Sequence, residues 1–200
     1  GSLTIDRCQF INNMSRGGSG IYNIIGANTN IDISISNSVF NKNIAGDLNS
    51  TLKGVSGSSS MIRFIGNNSD ATINIYNNTY VSNIDTGTDN LTDDRFRATL
   101  AISQSNSVNP VRTTALAKVS NCIFWNNTGV GDHTSTSGST RAISDTFENP
   151  ISTLNVYNSL DPLNFVEGSI TSAVNTVITN PSFTSSTDFT LQNGSPAIDT

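Results

Sequence analysis

The chain is short of charge. Lys and Arg number 10 and Asp and Glu 15 among 200 residues, so charged side chains make up 12%, roughly half the share of an ordinary globular domain. The imbalance is acidic, a formal −5 at pH 7. That excludes the basic patch a nucleic-acid surface needs to displace counterions, and electrostatic docking onto an anionic bilayer with it. No apolar run has the length of a membrane span, so direct membrane insertion by a helix is not expected, and no leader peptide is legible. Histidine occurs once, as His133 within a Gly/Ser/Thr-rich stretch, and cysteine twice. A nucleophilic Cys–His pair therefore has a single remote partner and is not expected. Asn, Ser and Thr carry the solubility instead, while regularly placed Ile, Val and Phe exclude a disordered chain.

What is abundant is a repeat. Alternating apolar residues, an Asn or polar corner, an aromatic and more Asn recur in one order. The copies start at Leu3-Thr4-Ile5, Ile33-Ser34-Ile35, Ile73-Asn74-Ile75, Ala117-Lys118-Val119 and, in degenerate form, Leu154-Asn155-Val156. The aromatic follows at Phe10, Phe40, Tyr80 and Phe124. Measured on Ile5, Ile35, Ile75, Val119 and Val156, the spacings are 30, 40, 44 and 37 residues, in the range of solenoid repeats. A period of two inside each copy means strands with one buried face. Leu3/Ile5 and their counterparts point inward, and Thr4/Asp6, Ser34/Ser36, Asn74/Tyr76, Lys118/Ser120 and Asn155/Tyr157 point outward.

Between copies lies a second apolar run, at Ile21-Tyr22-Asn23-Ile24, Met61-Ile62-Arg63-Phe64, Leu100-Ala101-Ile102 and Ala142-Ile143. Small residues precede the first two, as in Gly17-Gly18-Ser19-Gly20, where glycine is expected to let the backbone turn with positive φ. The reading is an all-β fold, a right-handed parallel β-helix (β-solenoid) of about five coils plus an irregular C-terminal cap. Each coil buries its apolar face only by stacking on the next. Coils occupy residues 1–165, and residues 166–200 form a terminal coil and capping segment, in one continuous domain. With the strand pattern already running at Leu3 and no tail after Thr200, the chain reads as a fragment of a larger protein. A β-sandwich does not account for an aromatic at one offset in successive units.

Stacking has chemical consequences. Asn37, Asn77, Asn121 and Asn158 share a column, where each amide can donate to the next. Cys8 and Cys122 also share a column, three rungs or roughly 14 Å apart, too far for a disulfide. They are expected as free thiols.

Phe-x-x-Asn at Phe10–Asn13, Phe40–Asn43 and Phe124–Asn127, with Gly17-Gly18-Ser19-Gly20-Ile21-Tyr22, resembles the repeats of polymorphic outer-membrane adhesins. The end of the chain, Asn180-Pro181-Ser182-Phe183 and then Asp188-Phe189-Thr190-Leu191-Gln192-Asn193-Gly194-Ser195-Pro196-Ala197-Ile198-Asp199, is similar to the closing signature of the choice-of-anchor Q family of pectate-lyase-like β-helix proteins. The resemblance implies an exported, surface-anchored bacterial protein, and implies a fold and an address rather than an activity. The closing segment is expected to end the stacking and cover the last open coil.

Candidate sites are few. The acidic stretch Asp85–Arg97 offers Asp89, Asp93 and Asp94 as Ca²⁺ ligands, although its spacing does not match an EF-hand loop. The resemblance implies that enzymes of this fold use acids with Ca²⁺ and a basic residue, or paired carboxylates. Asp93, Asp94, Arg95 and Arg97 form the one local cluster that could serve, since Asp6, Asp32 and Asp70 do not share an outward column. Sugar rings stack on outward aromatics, which singles out Tyr76 and Tyr157 in one column beside Lys118, with Tyr22, Arg63 and Trp125 as further contacts. The expected function is a non-enzymatic, extracellular or cell-surface segment acting as adhesin or stalk. Its expected partner is an extracellular glycan or a host or neighbouring cell surface, and it needs no cofactor. The alternative is a polysaccharide lyase or glycoside hydrolase.

Overall fold

The computed structural model describes residues 1–15, 18–45, 58–64, 68–85, 98–104, 114–129, 141–146, 152–159, 166–167, 170–174 and 179–198. Among these residues the protein is all-β with no helix, and its strands, numbered in chain order, form four sheets. Sheet A holds β1 (Ser2–Asp6), β5 (Asn30–Ser36), β9 (Asp70–Tyr76), β13 (Thr114–Ser120), β17 (Thr153–Tyr157) and β19 (Ile170–Val174). Sheet B holds β2 (Gln9–Ile11), β6 (Val39–Asn41), β10 (Thr79–Val81) and β14 (Ile123–Trp125). Sheet C is built of two-residue strands, β3 (Met14–Ser15), β7 (Ile44–Ala45), β11 (Ile84–Asp85) and β15 (Thr128–Gly129). Sheet D holds β4 (Gly18–Ile25), β8 (Ser58–Phe64), β12 (Ala98–Gln104), β16 (Arg141–Thr146) and β18 (Val166–Glu167).

Every pairing between these strands is parallel. Through β16 the chain visits A, B, C and D in turn and each time returns to A beside the strand it left, while the last described strands β17, β18 and β19 lie in A, D and A, a connectivity consistent with a β-solenoid. The register follows the repeat, with Ile5 opposite Ile35, Ile35 opposite Ile75, Ile75 opposite Val119 and Val119 opposite Val156. Sheet D arises from the second apolar run, whereas sheets B and C lie within what reads in the sequence as a polar corner. Strands of two or three residues carry no period to detect.

The corners explain the Asn content. A left-handed residue stands between sheets A and B at Arg7, Asn37, Asn77 and Asn121, with Asn158 at the same place after β17, and between B and C at Asn12, Lys42, Ser82 and Asn126. Asn28 and Asn68 do the same before sheet A. Asn tolerates this conformation better than most side chains because its short amide bonds locally. Glycine plays a different part from the one expected. Gly18 and Gly20 lie in strand β4, and the one glycine with positive φ among the described residues is Gly194. Gly20 is there for space: a Cβ would stand 2.8 Å from the Ser59 carbonyl oxygen and 2.9 Å from the Phe40 ring.

The interior is a set of stacked columns. Ile33, Ile35, Ile73, Ile75, Ala117, Val119, Leu154 and Val156 are buried on the inner face of sheet A. Opposite them the rings of Phe10, Phe40, Tyr80 and Phe124 stack face to face, with centroids 4.8, 4.5 and 4.8 Å apart and planes within 9°. The strand spacing of about 4.8 Å dictates this offset geometry. Tyr80 alone brings a hydroxyl into the column, and neither it nor the buried Ser60 hydroxyl reaches hydrogen-bond geometry with any group. Burial pushes the Tyr80 phenol far above its ordinary range. Tyr80→Phe is therefore expected to raise stability by about 1 kcal/mol, because it removes an unpaired buried hydroxyl and keeps the ring. A fall in the thermal midpoint would instead reveal a buried water satisfying that hydroxyl.

The closing segment is self-structured. Phe183 and Leu191 form an antiparallel bridge, and Thr184 and Thr190 pair through backbone and hydroxyls. Ser195 Oγ bonds the Pro181 carbonyl, and Asp188 accepts from the Thr190 amide and hydroxyl, which lowers its carboxyl pKa. Residues 187–190 line one pocket with Gln9, Ile11, Val39 and Thr79. This part of the segment thus lies along the outer side of sheet B at the first three circuits.

Candidate functional site

Sheet A presents the outward columns that the period-two pattern predicts. One column runs Thr4, Ser34, Asn74, Lys118, Asn155 and the next Asp6, Ser36, Tyr76, Ser120, Tyr157. Tyr76 and Tyr157 are thus two rungs apart, roughly 10 Å, with Ser120 between them. Tyr76 is exposed, Tyr157 half-buried, and Lys118 Nζ sits 5.3 Å from the Tyr157 ring centroid, within cation–π range. Leu116, in the neighbouring outward column, is 47% exposed. The result is an open face carrying two rings, one cation and an apolar patch.

The other aromatic candidates stand elsewhere. Tyr22 is exposed on sheet D, opposite Met61, and the Arg63 backbone pairs with Ile24 two residues further along the same sheet. Both belong to a different sheet from Tyr76 and Tyr157. Trp125 ends the sheet B column Ile11, Asn41, Val81, Trp125 and is half-buried. Asn41 and Val81 in that column are buried on their outer side, so this face is covered and Trp125 lies at its margin. Asp89, Asp93, Asp94, Arg95 and Arg97 lie outside the described residues, as does His133. Among the described residues no three His, Cys, Asp or Glu side chains are grouped to hold a metal.

Asp6, Asp32 and Asp70 fall in three different columns, as the sequence indicates. Asp6 accepts hydrogen bonds from Asn37 Nδ2 and Ser36 Oγ, both at 2.7 Å, with Arg7 beside it, and these donors lower its carboxyl pKa. Asp32 and Asp70 share a shallow depression with Asn30, Thr72 and Leu116, a juxtaposition made by register between circuits.

Both cysteines are free. Cys122 is 1% exposed, and burial pushes its thiol up to about 12. Cys8, on the first circuit, is only half-buried. A thiol reagent at about pH 8 is expected to modify Cys8 in the folded protein and Cys122 only after denaturation, since the thiolate is the reactive form. Equal rates at the two sites would show that the fourth circuit opens.

The sequence concealed a second Asn column. Asn13, Asn43, Asn83 and Asn127, the closing residues of the aromatic-x-x-Asn motif, point inward, and the last three are buried. Each Oδ1 from Asn43 onward accepts both the backbone N–H and the Nδ2–H of the Asn one circuit earlier, at 2.9 to 3.1 Å. Each Nδ2 also donates back to the preceding ring residue's carbonyl, as Asn83 does to Phe40 at 2.9 Å. The expected ladder exists too, through Asn121, Asn77 and Asn37, but it is exposed, with amides 3.2 Å apart. The motif spacing was the available signal: ring and amide three residues apart, across one left-handed corner, share the interior.

No family model, no curated protein and no solved structure matches the chain.

Proposed function

We propose that the chain is a segment of a right-handed parallel β-helix of about five coils, from an exported bacterial cell-surface protein. It acts without catalysis as an adhesin or stalk whose sheet A face contacts extracellular glycans. The observation that carries this reading is the outward column that holds Tyr76 and Tyr157 two rungs apart beside Lys118. Pyranose rings present C–H faces that stack on such phenols, and the strands beneath hold the rings at little entropic cost. The parallel pairing throughout the four sheets supports the stalk role, because backbone ladders tie each strand to the next.

A glycan-array screen with and without Ca²⁺ tests the reading. Binding by the parent chain is expected to fall on the order of tenfold or more in Tyr76→Ala/Tyr157→Ala, the loss of two ring contacts. Unsaturated product or reducing sugar released from acidic polysaccharides, and abolished by Asp93→Asn or Asp94→Asn, would instead establish the lyase or hydrolase alternative. Binding that ignores both tyrosines would move the contact to Tyr22, Arg63 or Trp125.

A further inference from the structure

A cavity of about 360 Å³ lies between the closing segment and the outer side of sheet B. Its floor is Gln9, Val39 and Thr79, one outward column from three successive circuits, with Ile11 beside them. Its wall is the closing segment around Asp188 and Phe189. That wall is held from within. The Phe189 ring packs edge-on against Phe183 with centroids 5.4 Å apart, and Asp188 Oδ1 accepts from the Thr190 amide and hydroxyl at 3.0 and 2.7 Å. Among the described residues, the hydrogen bonds of residues 180–198 all stay within the segment, and none crosses to sheet B. The two surfaces therefore face each other across a space.

The polar groups around that space are uncommitted. The Gln9 amide and the Thr79 hydroxyl make no hydrogen bond among the described residues, and Asp188 Oδ2 accepts none. No Lys, Arg or His lines the cavity. The Thr190 donors hold the Asp188 carboxyl below its ordinary range, so it is ionised at neutral pH without a counter-charge. Ile11, Val39 and Phe189 supply apolar surface between these groups.

We infer that this cleft is a binding site for a single neutral pyranose residue, held between the closing segment and sheet B. Such a ring lays a C–H face on Phe189 and Val39 and turns its hydroxyls to the polar groups. Asp188 Oδ2 accepts from the hydroxyls, Thr79 and the Gln9 amide donate, and the Gln9 carbonyl accepts. The volume lies at the small end of ligand cavities, roughly 300–1,000 Å³, so one ring enters and a length of polymer does not. A uronic acid would set its carboxylate against Asp188, and like charges in one site oppose each other. The site stands on a different sheet from Tyr76 and Tyr157, and the inference does not rest on the glycan reading of that face.

Titration of the full chain with methyl β-glucoside, methyl β-galactoside and methyl α-mannoside, followed by amide resonances, tests it. At least one is expected to shift the Thr79 and Phe189 amides saturably, with galacturonate about tenfold weaker or more. Asp188→Asn is expected to weaken that binding about tenfold, the loss of a charge-assisted hydrogen bond. Thr79→Val keeps the side-chain shape, lies outside the closing segment and is expected to weaken it severalfold. Tyr76→Ala/Tyr157→Ala is expected to leave these shifts unchanged, which separates this site from the sheet A face. Shifts that survive both cleft substitutions, or that vanish with the two tyrosines, overturn the proposal. So does galacturonate binding as well as the neutral sugars. Silence with all three sugars also overturns it, and a shift of the same amides by butylammonium would then make the cleft a cation site.

Discussion

Asn83→Ala is expected to cost about 3–5 kcal/mol, the largest effect of any polar substitution in the described structure. Asn83 Oδ1 accepts from Asn43 N and Nδ2, and its Nδ2 donates to the Phe40 carbonyl and to Asn127 Oδ1, all at 2.9 to 3.0 Å. Truncation strands these buried groups, and each one left unpaired costs about 1–3 kcal/mol. Asn77→Ala is the control. Asn77 comes from the same repeat copy, but its two amide bonds, at 3.2 Å, lie on the surface. Water replaces those bonds, which leaves about 1–2 kcal/mol for the left-handed backbone that Ala tolerates poorly. Chemical denaturation at unchanged slope compares the two. Equal losses would mean that the inner amides are hydrated and that the buried ladder does not contribute as drawn.

Phe40→Ala is expected to cost about 3–5 kcal/mol, the range for removing a buried aromatic. Phe40 has no exposed surface and lies between Phe10 and Tyr80 at 4.8 and 4.5 Å. Those rings are fixed by parallel strands about 4.8 Å apart, so they cannot close over the gap, and the cavity persists. Gly20, whose missing Cβ makes room for the Phe40 ring, adds a flat wall with no side chain to move inward. Phe10→Ala removes the same atoms from the end of the stack, where the ring is half-buried. It is expected to cost no more than about 2 kcal/mol. A Phe10 loss as large as the Phe40 loss would show that the edge is covered in solution.

Much of this was readable in the residues. Alternation at Ile33/Ile35 and Ile73/Ile75 marks strands with one wet face, and its return at solenoid spacing implies like-on-like stacking. The register bears this out column by column. From it follow the shared outward column of Tyr76 and Tyr157, the free thiols and the exposed Asn37–Asn77–Asn121 ladder. Besides the buried Asn column, three features were not readable. Met14-Ser15 and Ile44-Ala45 are strands only because their neighbours are, a property no two-residue segment can display alone. Gly20 looks like a turn residue until the Phe40 ring is placed against it. The closing segment carries no sign of which outer face receives residues 187–190, because that contact joins the end of the chain to its first three circuits.

The sequence by itself determined the local and periodic part of this protein: which residues of the long strands face in, where a polar corner interrupts them, and which side chains share a rung. Those are short-range choices, made by alternation and by backbone sterics within a few residues. Tertiary structure alone decided which of two consecutive Asn, such as Asn126 and Asn127, turns the corner and which enters the core. An amide is satisfied or stranded only by groups about 30 to 44 residues away, and no local pattern records whether those groups arrive.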